Sequence, residues 1–442
     1  MRTIFISLNL VSVLLSTTVW AQTAAPEAGG TNVLQLTPAL VNELAEEMRA
    51  KNPALLAAGA RTNAAGAGVG AVRTWEDPMV RAGGMAARED FRASDGDLIY
   101  GVEQRLPLFG KPALARKLAT AGLVTQTATA DYQFQILKKE LAKAAFRTAL
   151  ADEVISLGVQ DLGWLQTVSQ TVERKYSAGQ ASLVELSLVE NDRARRASQL
   201  ETDRNQLAHE RVSLNRLLSR ELHSPWPVLA LPPLAGPIGY NEKLVNFALK
   251  YEPRIKVLRQ EISQAEAAVE VTKRQRAPDV SVGLEGRNYS GNGSFRQGAL
   301  VFTMNLPWLN GGKYRSEIKR DEAKVQAAEF DLKDYELSVR EELHHLTVKI
   351  DAARRQALLY RDEIIPRSET ALESARIGWE NGRGTFRDLL DARRMLIDGR
   401  LMQSRALAEQ YELLSELVLC CGLGDLEALQ MIGALPEEKD SK

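Results

Sequence analysis

The sequence predicts a mainly α-helical protein with a smaller β component that fits a membrane sheet, and it predicts two similar halves. Three observations support this fold class. Each half has a long helical pattern that reverses at a glycine-containing turn. Each half also has one pair of segments in which polar and apolar residues alternate, and a Leu-Pro segment joins the two patterns. The repeat is far longer than a solenoid unit, so each copy is a large structural half.

Three sequence markers recur in the same order and indicate an internal duplication. The paired markers are the turns around Gly179 and Gly382, the Leu-Pro segments 106–111 and 306–313, and the dipeptides at 52–53 and 252–253. We therefore predict a first structural repeat over residues 37–220 and a second over residues 241–418. A proline-rich connector, residues 221–240, separates them, and residues 419–442 form a weakly patterned C-terminal tail.

The composition favours long helices and disfavours nucleic-acid binding. The 442 residues are 45% hydrophobic, 6% aromatic and 26% charged, which is typical of helical proteins. A net charge of -1 gives no basic field for nucleic acid. The two cysteines, Cys420 and Cys421, are adjacent, and disulfide geometry resists pairing between neighbours. We predict a packing role for them, with intermolecular pairing as the alternative, and we predict no metal site and no cofactor.

The N-terminus has the pattern of a secretory signal peptide over residues 1–21. Arg2 precedes an apolar core at residues 4–15, and Ala21 completes a small-residue cleavage site. The core is too short to span a bilayer. Residues 22–36 are rich in Ala, Gly and Pro and are predicted to be flexible. An exported chain of this kind is periplasmic, secreted or an outer-membrane β-barrel.

Each half contains a predicted helical hairpin of great length. The helical patterns at 111–177 and 313–380 would each extend on the order of 100 Å at the rise of an α-helix. They reverse at tips near residues 177–183 and 380–386. Pro366 is predicted to kink or loosen the second pattern about one turn earlier. Heptad spacing in the second pattern requires partner helices along its length.

Each half also contains a predicted β-hairpin, at about 77–106 and about 279–306. Alternation over about ten residues fits a transmembrane strand, and it fits a soluble hairpin at least as well. Four strands cannot close a barrel, and lipid does not tolerate an open sheet edge. If these strands lie in a membrane, the chain must oligomerise. Two chains would give a filled eight-stranded barrel and three chains a twelve-stranded barrel with a lumen.

At this point the sequence resembles the TolC-type outer-membrane factors of tripartite efflux systems. The resemblance covers nearly the whole mature chain and is most specific at the second tip. The matching residues are Ile364-Ile365-Pro366, Ala371, Gly378-Trp379-Glu380-Asn381-Gly382 and Asp388-Leu389-Leu390-Asp391-Ala392-Arg393. Segment 103–111 leans toward the heavy-metal cation efflux branch of the family.

The resemblance implies a homotrimer in the cell outer membrane with an extension into the periplasm. Three chains would form a twelve-stranded β-barrel in outer-membrane lipid, continued by a periplasmic α-helical barrel. The implied partners are a periplasmic adaptor protein and an inner-membrane pump, expected to be of the RND type. The implied cargo is heavy-metal cations or small toxic compounds, and export of proteins by a type I system is an alternative.

Site residues are carried over from the family by position. Asp388 and Asp391 match the acidic residues that ring the closed periplasmic aperture, whereas spacing alone favours a simple role at a helix N-terminus. The ring stays closed only if basic groups offset its repulsion, and Arg387 and Arg393 are the candidates in sequence. The remaining matches are the adaptor-contact turns at Gly179, Gly382 and Thr385 and the barrel-to-helix hinges at Pro107 and Pro307. Arg383 departs from the small residues of such turns.

Two rival functions are disfavoured. His344 and His345 follow Glu341 and Glu342, which gives Glu-x-x-His on one helix, but a di-iron helical bundle needs the motif on two helices, and no second copy occurs elsewhere in the sequence. No phosphate-binding loop, nucleophile elbow or zinc motif is present in the sequence, so we predict that the protein is not an enzyme. A periplasmic adaptor would need a single helical hairpin, whereas this chain has two.

Overall fold

The computed structural model describes residues 33–85, 97–289, 293–424 and 428–429. The predicted signal peptide lies outside the described residues, as do most of the predicted flexible segment 22–36 and most of the tail 419–442. The described residues contain nine α-helices, whose bounds are α1 Pro38–Lys51, α2 Pro53–Ala71, α3 Lys111–Ser177, α4 Leu183–Leu218, α5 Glu242–Tyr251, α6 Pro253–Arg274, α7 Gly311–Leu359, α8 Ile365–Glu380 and α9 Phe386–Cys421.

The helices follow the order that the duplication predicts. In both halves, a short helix leads into a second helix that starts with proline, where the missing N–H costs nothing. The side chain of Asn52 caps α2 by accepting from the amide of Ala54 at 2.9 Å. The carboxylate of Glu252 caps α6 in the same way by accepting from the amide of Ile255 at 2.5 Å. Each half therefore begins with the same capped helix pair.

The long helices pack side by side against one another. Helix α3, with 67 residues, packs on α4 and α9 toward its C-terminus and on α2 and α6 toward its N-terminus. Helix α9 packs in turn on α7 and α8. The predicted heptad seam of α7 is buried from Leu343 through Ala357. Among the described residues, no helix has the length and apolar character needed to cross a bilayer.

The second long helical run is interrupted where Pro366 predicts a disturbance. Residues Tyr360–Ile364 form one π-helical turn between α7 and α8. A proline has no N–H to donate to the carbonyl four residues earlier, and its ring clashes with that carbonyl. A wider turn accommodates this defect while the helix axis continues.

The strands form two sheets. Strand β1, Val33–Gln35, pairs in parallel with β4, Val228–Ala230, which lies in the connector. The larger sheet is antiparallel and has the order β2-β3-β5-β6, with bounds Met79–Met85, Asp97–Arg105, Val280–Tyr289 and Phe295–Met304. The central pairing of β3 with β5 joins the two halves, since Val102 of the first half lies opposite Leu284 of the second. Within the second half, Leu284 lies opposite Leu300.

The larger sheet exposes one apolar face and carries charges on the other. The exposed face includes Val80, Leu98, Tyr100, Val102, Leu284, Leu300, Phe302 and Met304. On the opposite face, Arg81 pairs with Glu103, and Arg287 pairs with Glu285 at 3.3 Å. Since nothing within the described chain covers the apolar face, it is available to lipid. This arrangement, together with the helices, confirms the predicted fold class of mainly α with membrane β.

The main hydrophobic core lies midway along the long helices. It joins α1, α3, α4, α5, α7 and α9 around side chains such as Phe146, Leu214, Leu343 and Tyr411. The connector is held to this core by Asp152, whose carboxylate accepts from the amide of Leu229 and from Arg211, both at 2.9 Å. Burial of Asp152 raises the pKa of its carboxyl group above the usual value.

A substitution at Gly422 tests how tightly the end of α9 packs against this core. It ends α9 with φ +62°, and a Cβ at this position would lie 2.1 Å from the carbonyl oxygen of Tyr251. We expect Gly422→Ala to lower the free energy of unfolding by about 2–4 kcal/mol, because the left-handed backbone and the backbone clash both disfavour a side chain. Thermal unfolding in detergent measures this. Gly424→Ala, where a Cβ meets nothing within 4 Å, is the matched control.

Candidate functional site

The two helical hairpins end in tips with the same backbone. Gly179 and Gly382 adopt φ values of +71° and +68°, which a residue with a Cβ rarely adopts. In the first tip, the amide of Gln180 donates to the carbonyl of Lys175 at 2.7 Å. In the second tip, the amide of Arg383 donates to the carbonyl of Gly378 at 2.8 Å. Both helices thus end in a Schellman motif, in which the glycine conformation is required.

Each tip then starts its return helix with a capping box. In the first tip, Glu185 accepts from the amide of Ser182 at 3.1 Å, and the amide of Glu185 donates to the Ser182 hydroxyl at 3.2 Å. Thr385 and Asp388 make the same pair of bonds in the second tip, at 3.1 and 3.2 Å. Hydrogen bonds from Thr385 hold the pKa of Asp388 below its usual value. The Asp388 side chain is exposed and, because its pKa is lowered, ionised at neutral pH. The two hydrogen bonds with Thr385 fix its orientation.

Asp391 has no such counterpart in the first tip. The two tips align with a constant offset, so that Asp388 corresponds to Glu185 and Asp391 corresponds to Leu188. Asp391 is exposed, and its carboxylate lies 3.1 Å from the guanidinium of Arg394, one turn along α9. Helix capping accounts for Asp388, but it does not account for Asp391.

Arg394 connects this aspartate to the first hairpin. Its Nη2 donates to both carboxylate oxygens of Asp192 on α4, at 2.7 and 2.6 Å. Asp192 is 8% exposed and also pairs with Arg195. A charge-assisted hydrogen bond to a buried carboxylate is stronger than a bond between neutral groups. Arg394 thus lies between an exposed aspartate at the tip and a buried aspartate on the neighbouring hairpin.

A second ion pair joins the hairpins beside the first. Arg393 Nε donates to Asp161 on α3 at 2.9 Å, and its guanidinium lies 5.0 Å from the ring centre of Trp164. Arg196 on α4 approaches the same carboxylate at 3.4 Å. Together these charged side chains line a cleft of about 290 Å³ among α3, α4 and α9.

Within one chain, neither of the two predicted neutralising bases pairs with Asp388 or Asp391 among the described contacts, and their role in an assembled ring stays a prediction. Arg393 is committed to Asp161 in the first hairpin, and among the described contacts Arg387 makes no ion pair with either aspartate. Arg394 is the base that contacts Asp391. The i,i+3 spacing of Asp391 and Arg394 on one helix was a usable signal for this pair. The partners Asp161 and Asp192 come from distant segments, which sequence spacing could not identify.

Apolar contacts also hold the two tips together, at a level closer to the turns than these ion pairs. Leu165, Val172 and Val189 of the first hairpin pack against Phe386, Leu389 and Leu390 of the second, and all six are buried. Trp379 covers the cluster, with its ring centre 5.3 Å from that of Phe386 and 3.8 Å from the Lys175 ammonium. This packing joins the two hairpins through apolar contacts in addition to the ion pairs.

The predicted contact turns lie at the surface. Gly179, Gly382, Thr385 and Arg383 are exposed. Leu183 and Val184 beside the first turn are also exposed, at 60% and 67%. The turns therefore present backbone, one hydroxyl, one guanidinium and a small apolar surface.

The Leu-Pro segments with Pro107 and Pro307 lie where the sheet meets the long helices. Lys111 Nζ at the start of α3 donates to Asp279 before β5 and to the carbonyl of Ala277, both at 2.7 Å. Phe109 and Gly110 in between have φ values of +59° and +68°. The chain turns sharply here, and side-chain bonds fasten the turn to the second half.

The cysteines and the adjacent histidines, which raised the question of redox or metal chemistry, lie in ordinary packed or exposed environments. Cys421 is buried and Cys420 half-buried, and burial raises the pKa of the Cys421 thiol to about 12. His344 and His345 are exposed, and the His344 ring lies 5.3 Å from that of Tyr240. Within the part of the chain that the structure describes, no cluster of three or more His, Cys, Asp and Glu is arranged to hold a metal ion.

These features define a class of protein: a chain with an exposed apolar membrane sheet, continued by long helical hairpins with charged tips. Comparison with known proteins agrees with this class. A profile of the family described as "Outer membrane efflux protein" matches residues 44–220 and 244–423. The chain belongs to this family, and the profile matches each half once, in agreement with the internal duplication. The protein is therefore an outer-membrane channel component of an efflux system.

Individual relatives are similar to this chain along nearly their whole length. The chain is 22% identical over 429 residues to the cobalt-zinc-cadmium resistance protein CzcC of Cupriavidus metallidurans, covering 93% of this chain and 97% of that one. The solved structure of CusC is similar with a TM-score of 0.76 at 16% identity, covering 92% and 99% of the two chains. VceC of Vibrio cholerae is similar with a TM-score of 0.72 at 19% identity, covering 88% and 97%.

We expect Arg394→Gln to loosen the tip by removing the charge-assisted hydrogen bonds from Arg394 to Asp192. Hydrogen bonds to charged groups contribute about 1.5–3 kcal/mol, so amide hydrogen exchange near the tip of α9 should become roughly 10- to 100-fold faster. Arg376→Gln is the matched control, because the partners of Arg376 among the described residues are Glu373 and Glu380 on its own helix. Equal exchange in the two variants would contradict the assignment.

Proposed function

We propose that three copies of this chain form a passive exit duct for heavy-metal cations or small toxic compounds, loaded by an inner-membrane pump through a periplasmic adaptor. The observation that carries this proposal is the family match to both halves, taken with a sheet whose two edge strands are open. The relative CzcC is named for cobalt, zinc and cadmium resistance, and its similarity spans 93% of this chain. That similarity supports heavy-metal cations as the cargo class.

The homotrimer is supported by the geometry of the sheet. Four strands leave β2 and β6 each with one unpaired edge. In lipid, unpaired backbone groups cost several kcal/mol each, so further strands from other copies must complete the sheet. Eight strands close around side chains alone, whereas twelve leave a lumen that a duct requires. Three copies are therefore the smallest closed assembly with an open path.

The gate is proposed at Asp388 and Asp391 of the second tip. In a threefold assembly, each exposed aspartate would meet two copies of itself around the axis. Arg394 reduces the repulsion of Asp391 because its guanidinium lies 3.1 Å away. Asp388 has a second role as a helix cap, and Asp391 therefore carries the part of the assignment that capping does not explain. A ring of this kind attracts cations and repels anions.

The adaptor is proposed to contact the turns at Gly179, Gly382 and Thr385. Glycine at positive φ leaves backbone groups accessible at the end of each hairpin. Arg383 adds a positive charge to the second turn only. The two turns would therefore present related but unequal surfaces to six adaptor contacts in a trimer. An RND-type pump would deliver the cargo to this assembly.

Single-channel conductance in a planar bilayer tests the gate. We expect Asp388→Ala combined with Asp391→Ala to increase conductance and lower cation selectivity, because the variant removes six charges from the aperture of a trimer. Glu185→Ala with Leu188→Ala is the matched control at the corresponding positions of the first tip. An unchanged conductance, or an equal change in the control, would remove the gate assignment.

Growth inhibition tests the cargo class. Cells that lack this chain should become more sensitive to cobalt, zinc or cadmium ions than to apolar antibiotics, and the wild-type chain should restore resistance. We expect this because a duct transports what its pump delivers, and the relative CzcC is named for resistance to these metals. Increased sensitivity to apolar antibiotics alone would replace the metal assignment with a drug assignment.

A further inference from the structure

Both halves contribute the same short motif to the central strand pair of the larger sheet. The motif is Gly-x-Glu, with Gly101 and Glu103 on β3 and Gly283 and Glu285 on β5. The antiparallel register places Gly101 opposite Glu285 and Gly283 opposite Glu103. Each glutamate at the seam between the two halves therefore lies beside a residue that has no side chain.

The glutamates of this motif lie on the charged face of the sheet. Val102 and Leu284, the middle residues of the two motifs, are exposed on the apolar face at 51% and 70%. Successive side chains of a strand point to opposite faces, so both glutamates point away from the lipid-facing side. In the proposed trimeric barrel this charged face lines the lumen, and three copies would place six glutamates within two adjacent rows of the wall.

The two glycines allow a close approach of the strands at this seam. A Cβ at Gly101 would lie 2.8 Å from the carbonyl oxygen of Leu284, and a Cβ at Gly283 would lie 3.0 Å from that of Val102. The same two Cβ atoms would lie 3.6 and 3.4 Å from the Cβ of the glutamate opposite. A side chain at either position would crowd both the neighbouring backbone and the glutamate, so the motif requires glycine beside each carboxylate.

An arginine pairs with each glutamate. Arg81 on β2 forms an ion pair with Glu103, and Arg287 approaches the carboxylate of Glu285 on its own strand at 3.3 Å. The side chains of Glu103 and Glu285 are 7% and 24% exposed, whereas that of Arg81 is 56% exposed. Arg105, the next arginine along β3, is paired with Glu76 and Asp279. The carboxylates therefore lie close to the wall, covered and neutralised by Arg81 and Arg287.

This wall differs from the tip, where Asp388 and Asp391 are exposed. Conduction requires binding that is weak enough for the ion to leave again. Glutamate carboxylates are zinc ligands in proteins, so uncovered glutamates along a narrow lumen would retain divalent cations. Pairing with arginine removes this effect while the wall stays polar.

We propose that Arg81 and Arg287 determine the ion selectivity of the barrel section of the duct, because they neutralise Glu103 and Glu285 and so let divalent cargo cations pass without being retained. The inference rests on the proposed function for its cargo and its lumen. It places a determinant of selectivity within the membrane, at the opposite end of the long helices from the tips.

Block of the channel current by cadmium ions tests this proposal. The parent channel for the measurement carries Asp388→Ala and Asp391→Ala, so that the tip aspartates do not contribute, and CdCl2 is added on the extracellular side. We expect Arg81→Gln to lower the half-blocking concentration about tenfold, because a divalent cation is attracted by an uncompensated carboxylate a few ångströms away. Arg81→Lys keeps the positive charge and should behave like the parent channel.

Replacing the glutamate as well separates the effect of charge from that of folding. Arg81→Gln with Glu103→Gln should return the half-blocking concentration to the parent value, although the ion pair is then absent. Arg287→Gln is an independent variant on another strand and should also lower this concentration, and Glu285→Gln should reverse its effect. Equilibrium dialysis of the same purified proteins in detergent against CdCl2 is a second readout, in which Arg81→Gln should bind more cadmium than the parent.

Two results would overturn the proposal. One is a half-blocking concentration that stays at the parent value in both Arg81→Gln and Arg287→Gln. The other is a decrease that persists after the paired glutamate is replaced. The dialysis needs no ion current, so failure of the proposed channel would show separately, as absent conductance with an intact gain of bound cadmium. If conductance is absent, an unchanged amount of bound cadmium would overturn the proposal as well.

Discussion

The structure depends on one constraint, which is that a four-stranded sheet with an apolar face cannot satisfy its own edges. Strands β2 and β6 each leave a row of backbone groups unpaired, and the face that carries Leu284 and Phe302 is exposed. In water the apolar face is unfavourable, and in lipid the open edges are. Lipid satisfies the apolar face, and the proposed assembly with further copies would pair the open edges. The long helices would then continue from strands that are arranged around one axis.

The long helices must stay in register although apolar side chains do not form a compact core along their whole length. Apolar packing is concentrated midway along the helices and at the tips. Beside these clusters, ion pairs connect α3 to α9. Their polarity reverses along the seam: Lys143 and Arg147 on α3 meet glutamates, whereas Asp161 on α3 meets Arg393. A shift of α9 along α3 would therefore replace attraction with repulsion at one end.

Sequence reasoning predicted what depends on local pattern. The two halves, the paired strands, the long helices and the tip turns at Gly179 and Gly382 all follow from periodicity, capping residues and glycine positions. It also placed a disturbance one turn before Pro366. It did not predict that β3 pairs with β5 across the two halves, or that Arg394 joins Asp391 to Asp192. Both depend on which distant segments meet in space. A charged side chain has several possible partners nearby in sequence, so sequence spacing does not identify its partner from a distant segment. Whether Asp388 and Asp391 form the aperture remains a prediction, and so do the adaptor-contact turns.

The differences between the two halves are more informative about function than their similarities. Both tips keep the Schellman motif and the capping box, because any helical hairpin needs to end its helices. A feature present in only one half has no such general cause. Asp391, Pro366 and Gly399 all belong to the second half, where the first has Leu188, Gly163 and Arg196. Asp161 and Arg196 form an ion pair at 3.4 Å in the first hairpin, whereas the corresponding Gly399 of the second hairpin packs against the end of a π-helical turn. The two hairpins of one chain therefore differ in the charge of the tip and in the packing between their helices, although their turns have kept the same backbone.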